Sequence, residues 1–224
     1  MTLRELKQLV TLGEGVSLEF KRRVPRDSRI AKEVIALANT RGGRILVGVD
    51  DDGTITGLDD SSEQEFMLRR AIRRCTSPEV EIRTERVVVA PRRDVILVSV
   101  PESTRKPHHL IPSKRSADEL LGDELPGDGT AYVRVEDMSV EASGESVELM
   151  ESANATTGVT FEFGQAESLL MRYLDDYGRI TVKEFAKLAD ISAEKASTTL
   201  VSMSKANLLR LHADRKEDYF TLAY

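Results

Sequence analysis

The sequence predicts an α+β protein in two parts: a larger mixed domain, then a small helical domain ending in a β-hairpin. Three observations predict it. Hydrophobic spacing alternates between strand and helix periods as far as Tyr132-Val133-Arg134. A small, polar stretch at Ser152 to Thr160 then suits a linker. Beyond it, three helical stripes precede two β-like segments. The domains are therefore drawn at 1–151 and 164–224, with a linker over 152–163.

Composition narrows the function classes. The chain has 224 residues, 31% charged and 40% hydrophobic, which is the balance of a globular protein and not of a disordered one. No apolar run reaches the roughly 20 residues that a membrane-spanning helix requires, so a soluble protein with no membrane partner is expected. MTLRELKQLV is a mixed-charge amphipathic stretch without an apolar core, so it reads as a first helix and not as a secretory signal. A single cysteine, Cys75, excludes an intrachain disulfide framework and a cysteine-based zinc site, and with the missing signal it points to the cytoplasm.

The net charge of -6 conceals an asymmetry. Between Phe20 and Ile45 stand Lys21, Arg22, Arg23, Arg26, Arg29, Lys32, Arg41 and Arg44, opposed only by Asp27 and Glu33. Between Ala117 and Glu151 the acids run from Asp118 to Glu151 with Arg134 alone against them. The basic block is a candidate phosphate-binding surface that the acidic block hides in the total.

Taken in order, Val16 to Arg22 alternates, with Leu18 and Phe20 on one face and Glu19 and Lys21 on the other, as a half-buried strand does. Asp27 or Ser28 caps a helix whose apolar stripe is Ile30, Val34, Leu37 and Ala38, with Lys32 and Glu33 outside the stripe. Gly42 and Gly43 end it. Arg44 to Val49, the turn Asp51-Asp52-Gly53 and Thr54 to Thr56 read as a β-hairpin. Ser61 or Ser62 opens a helix that turns Leu68, Ala71, Ile72 and Cys75 inward and Arg69, Arg70, Arg73 and Arg74 outward, ending near Ser77-Pro78. Strands follow at Glu81 to Ala90, Asp94 to Val100 and Ala131 to Val135, with a long surface loop expected from Pro101 to Gly129.

In the second part, stripes containing Leu170 and Leu174, then Phe185 and Ala186, then Ala196, Leu200 and Met203 mark three short helices. Leu208 to His212 and Tyr219 to Leu222 flank the polar turn Asp214-Arg215-Lys216-Glu217. Three helices and a hairpin make a winged helix. Its third helix would expose Lys195, Thr198, Thr199, Ser202 and Lys205, with Arg215 and Lys216 at the wing tip. Such modules commonly bind paired half-sites as dimers, so a homodimer is expected.

Leu18-Glu19-Phe20-Lys21, then Ala31 to Gly43 (AKEVIALANTRGG), then Leu46-Val47-Gly48-Val49-Asp50-Asp51-Asp52-Gly53 closely resemble the Schlafen AlbA-like family, over roughly residues 12 to 142. The resemblance implies an α+β domain associated with nucleic acid, often joined in microbes to helix-turn-helix modules. Some Schlafen proteins are RNA endonucleases, and their acidic triad is matched by Glu14, Glu19 and Asp51, with Lys21 beside Glu19 to contact phosphate. Three carboxylates can hold magnesium or manganese for phosphodiester cleavage. The alternative is structural: Glu14 exposed, Glu19 paired with a cation and Asp51 merely turning the chain. No phosphate-binding G-x-x-x-x-G-K-[ST] occurs, which excludes a P-loop ATPase. His108 and His109 are adjacent and would point apart on an extended chain, so a loop position is favoured over a metal site.

Three functions compete. The first is a nonenzymatic nucleic-acid-binding protein, a DNA-binding transcription regulator that contacts DNA or structured RNA. Its contacts would be Arg22, Arg23, Lys32, Arg41, Arg44, Arg69, Arg70 and Arg73, together with Lys195, Thr199, Lys205, Arg215 and Lys216; it needs no cofactor. The second is a metal-dependent ribonuclease using Glu14, Glu19, Asp51 and Lys21. The third is a protein-interaction adaptor.

Overall fold

In the computed structural model, which describes residues 1–111, 129–153 and 163–224, helix α1 (Leu3–Val10) opens at Thr2. The Thr2 hydroxyl accepts from the Glu5 N–H and the Glu5 carboxylate from the Thr2 N–H, which satisfies two otherwise orphaned donors. Strand β1 (Leu18–Lys21), helix α2 (Asp27–Asn39) and strand β2 (Gly43–Val47) follow as a parallel β-α-β unit, with Leu18 opposite Arg44 and Lys21 opposite Val47. Helix α3 (Ser61–Cys75) runs into the short β3 (Thr76–Ser77). Strands β4 (Arg83–Ala90) and β5 (Arg93–Val100) complete a sheet of order β1-β2-β5-β4.

Both faces of this sheet are covered. Ile45 and Val47 of β2 and Ile96, Val98 and Val100 of β5 share a core with α2 and α3. The alternate residues Leu46, Val95 and Leu97 pack with Leu18, Phe20 and Leu6, the last from α1. The two-residue period of a strand divides one apolar run between two cores.

A second sheet, β3, β6 (His109–Leu110), β7 (Thr130–Val135) and β8 (Met138–Glu141) in that order, is antiparallel throughout. Helix α2 contacts elements of both sheets, so Ile30, Ala31, Val34, Ile35, Ala36, Leu37 and Ala38 are all buried. The expected amphipathic helix is therefore apolar nearly all round. Lys32 and Glu33 do not face solvent freely: Lys32 Nζ lies 4.9 Å from the centroid of the Tyr132 ring, and Glu33 binds Arg134. Buried Asn39 fastens the same layers, donating from Nδ2 to the His108 and Tyr132 carbonyls and accepting from the His108 N–H.

Several local expectations are corrected. Neither Asp27 nor Ser28 caps α2; Arg26 takes the cap position without a side-chain capping hydrogen bond, and Arg70 engages the Asp27 carboxylate at 3.2 Å. Asp60, not Ser61 or Ser62, caps α3, while Ser61 is buried and donates to Asp94 Oδ2 at 2.9 Å. The turn before Thr54 forms as read, with Asp50 N–H donating to the Thr54 carbonyl and Gly53 at φ 83°. No two-stranded hairpin follows, because β1 and β5 already occupy both edges of β2; only Val49 and Ile55 bridge. In the expected loop, His109 and Leu110 pair as β6 and His108 is buried, while residues 112–128 lie outside the described residues. Gly42 ends α2 with φ 71°, and a Cβ there would stand 2.6 Å from Val100 O, so the position requires glycine.

The chain divides into two compact units, Met1–Glu141 and Ala142–Tyr224. The second holds α4 (Gly144–Ser152), α5 (Gln165–Tyr177), α6 (Val182–Ala189), α7 (Ala193–Lys205), β9 (Leu209–His212) and β10 (Tyr219–Leu222). Leu170, Leu174, Phe185, Leu200, Met203 and Phe220 form its core. Ile180, between α5 and α6, exchanges backbone hydrogen bonds of 3.0 and 2.8 Å with Phe220. The three helices and the antiparallel hairpin thus stand where the sequence stripes lie. The limit drawn at 151 differs from the observed division, since α4 packs on α7; of the expected linker, residues 154–162 lie outside the described residues. No helix among the described residues is long and apolar enough to cross a membrane.

Candidate nucleic-acid interface

The carboxylates of the first strand are largely committed to the fold. Glu19 is buried, with Lys21 Nζ on Oε1 and Arg134 Nη1 on Oε2 at 2.9 Å. Arg134, with no side-chain exposure, also binds Glu33 Oε2 at 2.9 Å and donates from Nη2 to the Gly15 carbonyl at 2.7 Å. Ser139 donates to the same Glu33 oxygen. This ionic knot ties β1, α2, β7 and β8 together, since charges taken out of water require pairing; of the Arg134 guanidinium only Nε is buried without a hydrogen-bond partner. Glu14 Oε1 accepts from the Phe20 N–H at 2.7 Å, on the strand edge that β2 leaves open. Desolvation raises the Glu14 pKa, and the nearby Glu19 and Asp51 carboxylates add to this against the Phe20 N–H and Lys21.

Glu14, Glu19, Lys21 and Asp51 are thus brought into one neighbourhood, but not as a metal cage. Among the described residues no group of three His, Cys, Asp or Glu side chains could hold a metal ion. Both Glu19 oxygens face cations of the protein itself, so this arrangement does not fit a three-carboxylate ion site. Asp51 is exposed; its neighbour Asp50 has Oδ1 buried without a hydrogen-bond partner, 3.6 Å from Arg22 Nε.

The basic block of the sequence is divided. Lys21 is absorbed by Glu19, Arg22 leans toward Asp50 and Lys32 lies over Tyr132. Arg44 stands level with Leu18 at the start of β1, whereas Arg22 and Arg23 follow its end, about 13 Å away at a strand's rise per residue. Arg41 stands with Arg44, just before β2. Arg23, Arg41 and Arg44 are exposed and no described residue pairs with them.

Helix α3 supplies a different surface. Arg69 binds Glu65 at 3.0 Å and Thr84 at 2.6 Å, and Arg70 is taken by Asp27. Glu65 also accepts from Arg86; the Thr84 hydroxyl, then Arg86 and Arg69, hold its pKa down to about 2. Arg73 remains exposed and unpaired among the described residues. It lines a cleft of about 670 Å³ with Arg69, Arg83 and Arg105 over a floor that includes Ile72 and Val80. Among the described residues Arg83 is likewise unpaired, and Arg105 bonds the Glu81 carboxylate at 3.2 Å, a contact between two exposed side chains. Sequence reading missed Arg83 and Arg105, which lie in a strand and a loop without helical periodicity; only their charge signals them.

His108 is a structural histidine. Its Nδ1 lies 2.7 Å from the Pro78 carbonyl, which can only accept, so Nδ1 carries the proton and Nε2 accepts from Ser103 at 2.7 Å. Burial lowers its pKa. His109 is partly buried, and neither histidine belongs to a group of three His, Cys, Asp or Glu that could hold a metal ion among the described residues.

In the second unit Lys195 and Thr198 are exposed on α7, and Thr199 and Ser202 are half-buried. Lys205 is held by Glu148 of α4 at 2.6 Å. Arg215 and Lys216 are exposed in the turn between β9 and β10.

No curated protein gives a significant match. Among solved structures, the DIP2311 protein of Corynebacterium diphtheriae is 17% identical with a TM-score of 0.43; the match covers 93% of this chain and 34% of that one. The N-terminal domain of a protein from Nitrosomonas europaea described as ATP-dependent DNA helicase RecG-related is 22% identical with a TM-score of 0.40, over 60% of this chain and 89% of that one. This chain therefore spans about a third of the length of the first structure. The family model described as Schlafen, AlbA_2 matches residues 14–143, which include β1, α2, β2 and the whole ionic knot, and the chain belongs to that family.

Proposed function

We propose that the protein binds nucleic acid and acts as a DNA-binding transcription regulator, without a cofactor. The observation that carries this reading is how the first unit treats its arginines. Arg134, Arg70, Arg69 and Arg86 are matched by carboxylates, yet Arg23, Arg41, Arg44, Arg73 and Arg83 stand exposed without a partner among the described residues, in a chain of net charge -6. Unpaired guanidinium groups on an acidic protein suit a polyanion, whose condensed counterions they release. The second unit supports the regulator reading: three helices and a hairpin offer α7 with Lys195, Thr198 and Thr199, and the turn with Arg215 and Lys216, as a winged-helix module. A homodimer would present two such modules to paired half-sites.

The test is purified protein with duplex DNA and with total tRNA, in magnesium, in manganese and in chelator. The regulator reading expects intact nucleic acid and a mobility shift that weakens with salt. Arg73→Glu with Arg83→Glu should weaken binding roughly tenfold or more and lower the salt slope by about two. Metal-dependent fragments lost in Glu14→Ala would favour the ribonuclease instead. Neither binding nor cleavage would leave the protein-interaction adaptor.

A further inference from the structure

The acidic helix α4 lies on the α7 stripe next to the exposed one. Residues four apart share a helix face, and on α7 the line Ser197, Val201, Lys205 is engaged along its length. Ser197 Oγ donates to Glu145 Oε1 at 2.6 Å, Val201 is 1% exposed and Lys205 Nζ donates to Glu148 Oε1 at 2.6 Å. The same helix reaches the hairpin turn: Ser143 Oγ, whose oxygen also caps α4, donates to Asp218 Oδ2 at 2.6 Å, and Ser146 Oγ reaches it at 3.3 Å. Helix α4 thus bridges α7 and the hairpin, the two elements a winged-helix module presents to a duplex; it offers α7 carboxylates where a duplex would offer phosphates, and it is fastened to the hairpin by two serine hydroxyls on Asp218.

We propose that α4 is an acidic strap that keeps the α7 and hairpin surface closed to nucleic acid, with Glu145 and Glu148 occupying the Ser197 and Lys205 groups that phosphate oxygens would otherwise take. This rests on the nucleic-acid reading of the second unit. Opening exchanges the Ser197, Lys205 and Ser143 bonds at half-buried or exposed side chains and costs the exposure of buried Ser146 and Val201, while Lys205, at 21% exposure, returns to solvent when Glu148 leaves. The Lys195 and Thr198 stripe stays uncovered and can make the first encounter. Displacement of α4 then adds a phosphate contact at Lys205 and uncovers the Ser197 to Lys205 line of α7.

The experiment compares the full chain with its Glu145→Gln, Glu148→Gln variant by fluorescence anisotropy on duplex DNA across a salt series, with thermal melts to confirm folding. The strap predicts affinity about three- to tenfold tighter and a salt slope steeper by about one, both abolished by adding Lys205→Ala. Glu151→Gln, an exposed acid on the same helix, should change little. Equal gains from Glu151→Gln, or gains that survive Lys205→Ala, overturn the strap in favour of a net-charge effect. Measurable binding unchanged by the double variant overturns the strap alone; no binding by either protein overturns the nucleic-acid reading with it.

Discussion

Around Arg134 the cations are matched by carboxylates; along the α3 cleft two arginines have no partner among the described residues. The first region is centred on buried Arg134, Glu19 and Ser139, with half-buried Lys21 and Glu33 closing on them across four elements. The second is an open cleft with Arg73 and Arg83 on its rim and apolar Ile72 and Val80 below. The sequence charges are alike in the two places, but their availability is not. A guanidinium in the interior must be neutralised because desolvation leaves no alternative, whereas one at a rim stays hydrated and can exchange water and counterions for a phosphate. The contrast teaches that the basic block between Lys21 and Arg44 overstates the surface open to a ligand, and that α3 with its neighbours understates it.

The strongest way to break the comparison is Arg134→Leu. Removal of the shared cation leaves buried Glu19 and half-buried Glu33 without it, and the expected loss is about 3–5 kcal/mol by chemical denaturation. A loss below roughly 1 kcal/mol would mean that water enters the knot and that the two regions differ less than their burial implies. The same measurement guards any nuclease assay, because Glu19→Ala would cripple the knot whether or not Glu19 touches substrate.

An intermediate case is Glu65, which is partly buried yet binds exposed arginines. Glu65→Gln should cost about 1–2 kcal/mol, since Thr84 keeps a partner while Arg69 and Arg86 lose a charge. Its folded pKa, at about 2, lies below the unfolded value. The stabilisation it brings is therefore complete above the ordinary glutamate pKa of about 4.3 and fades as pH falls toward about 2. Acid titration of wild type and variant should show their stability gap closing through that window; a gap independent of pH would mean the carboxylate charge contributes nothing.

The smallest effect on stability belongs to the cleft. Arg73→Ala and Arg83→Ala should each shift folding by no more than about 0.5 kcal/mol, while nucleic-acid affinity drops and the salt slope falls by about one per residue. A variant that loses stability but keeps its affinity would place these arginines in the fold and not in the interface.

Much of the fold was legible in local pattern. The stripe Leu68, Ala71, Ile72 and Cys75 is buried as its spacing requires, the turn before Thr54 has its glycine at positive φ, and the stripes at Leu170, Phe185 and Leu200 fill one core. The second sheet was not legible as a layer. Strands β3 and β6 have two residues each, too few for any period to register, and their pairing with β7 depends on contacts far apart in sequence. For the same reason the stripe placed Lys32 and Glu33 outside it but could not show that Tyr132 and Arg134 of β7 engage them.

By itself the sequence determined the family, through the run from Leu18 to Gly53, the alternation of strands and helices, and which residues carry charge. Those properties are written within a few residues of one another, where steric preference and hydrophobic period act. Only the tertiary structure decided which charges are spent. It set Arg134 against Glu19 across the chain, seated Asp27 on Arg70, laid Glu148 on Lys205 and left Arg73 and Arg83 open. The reason is that the strength of an electrostatic contact depends on distance and on exclusion of water, and neither exists until the layers have packed.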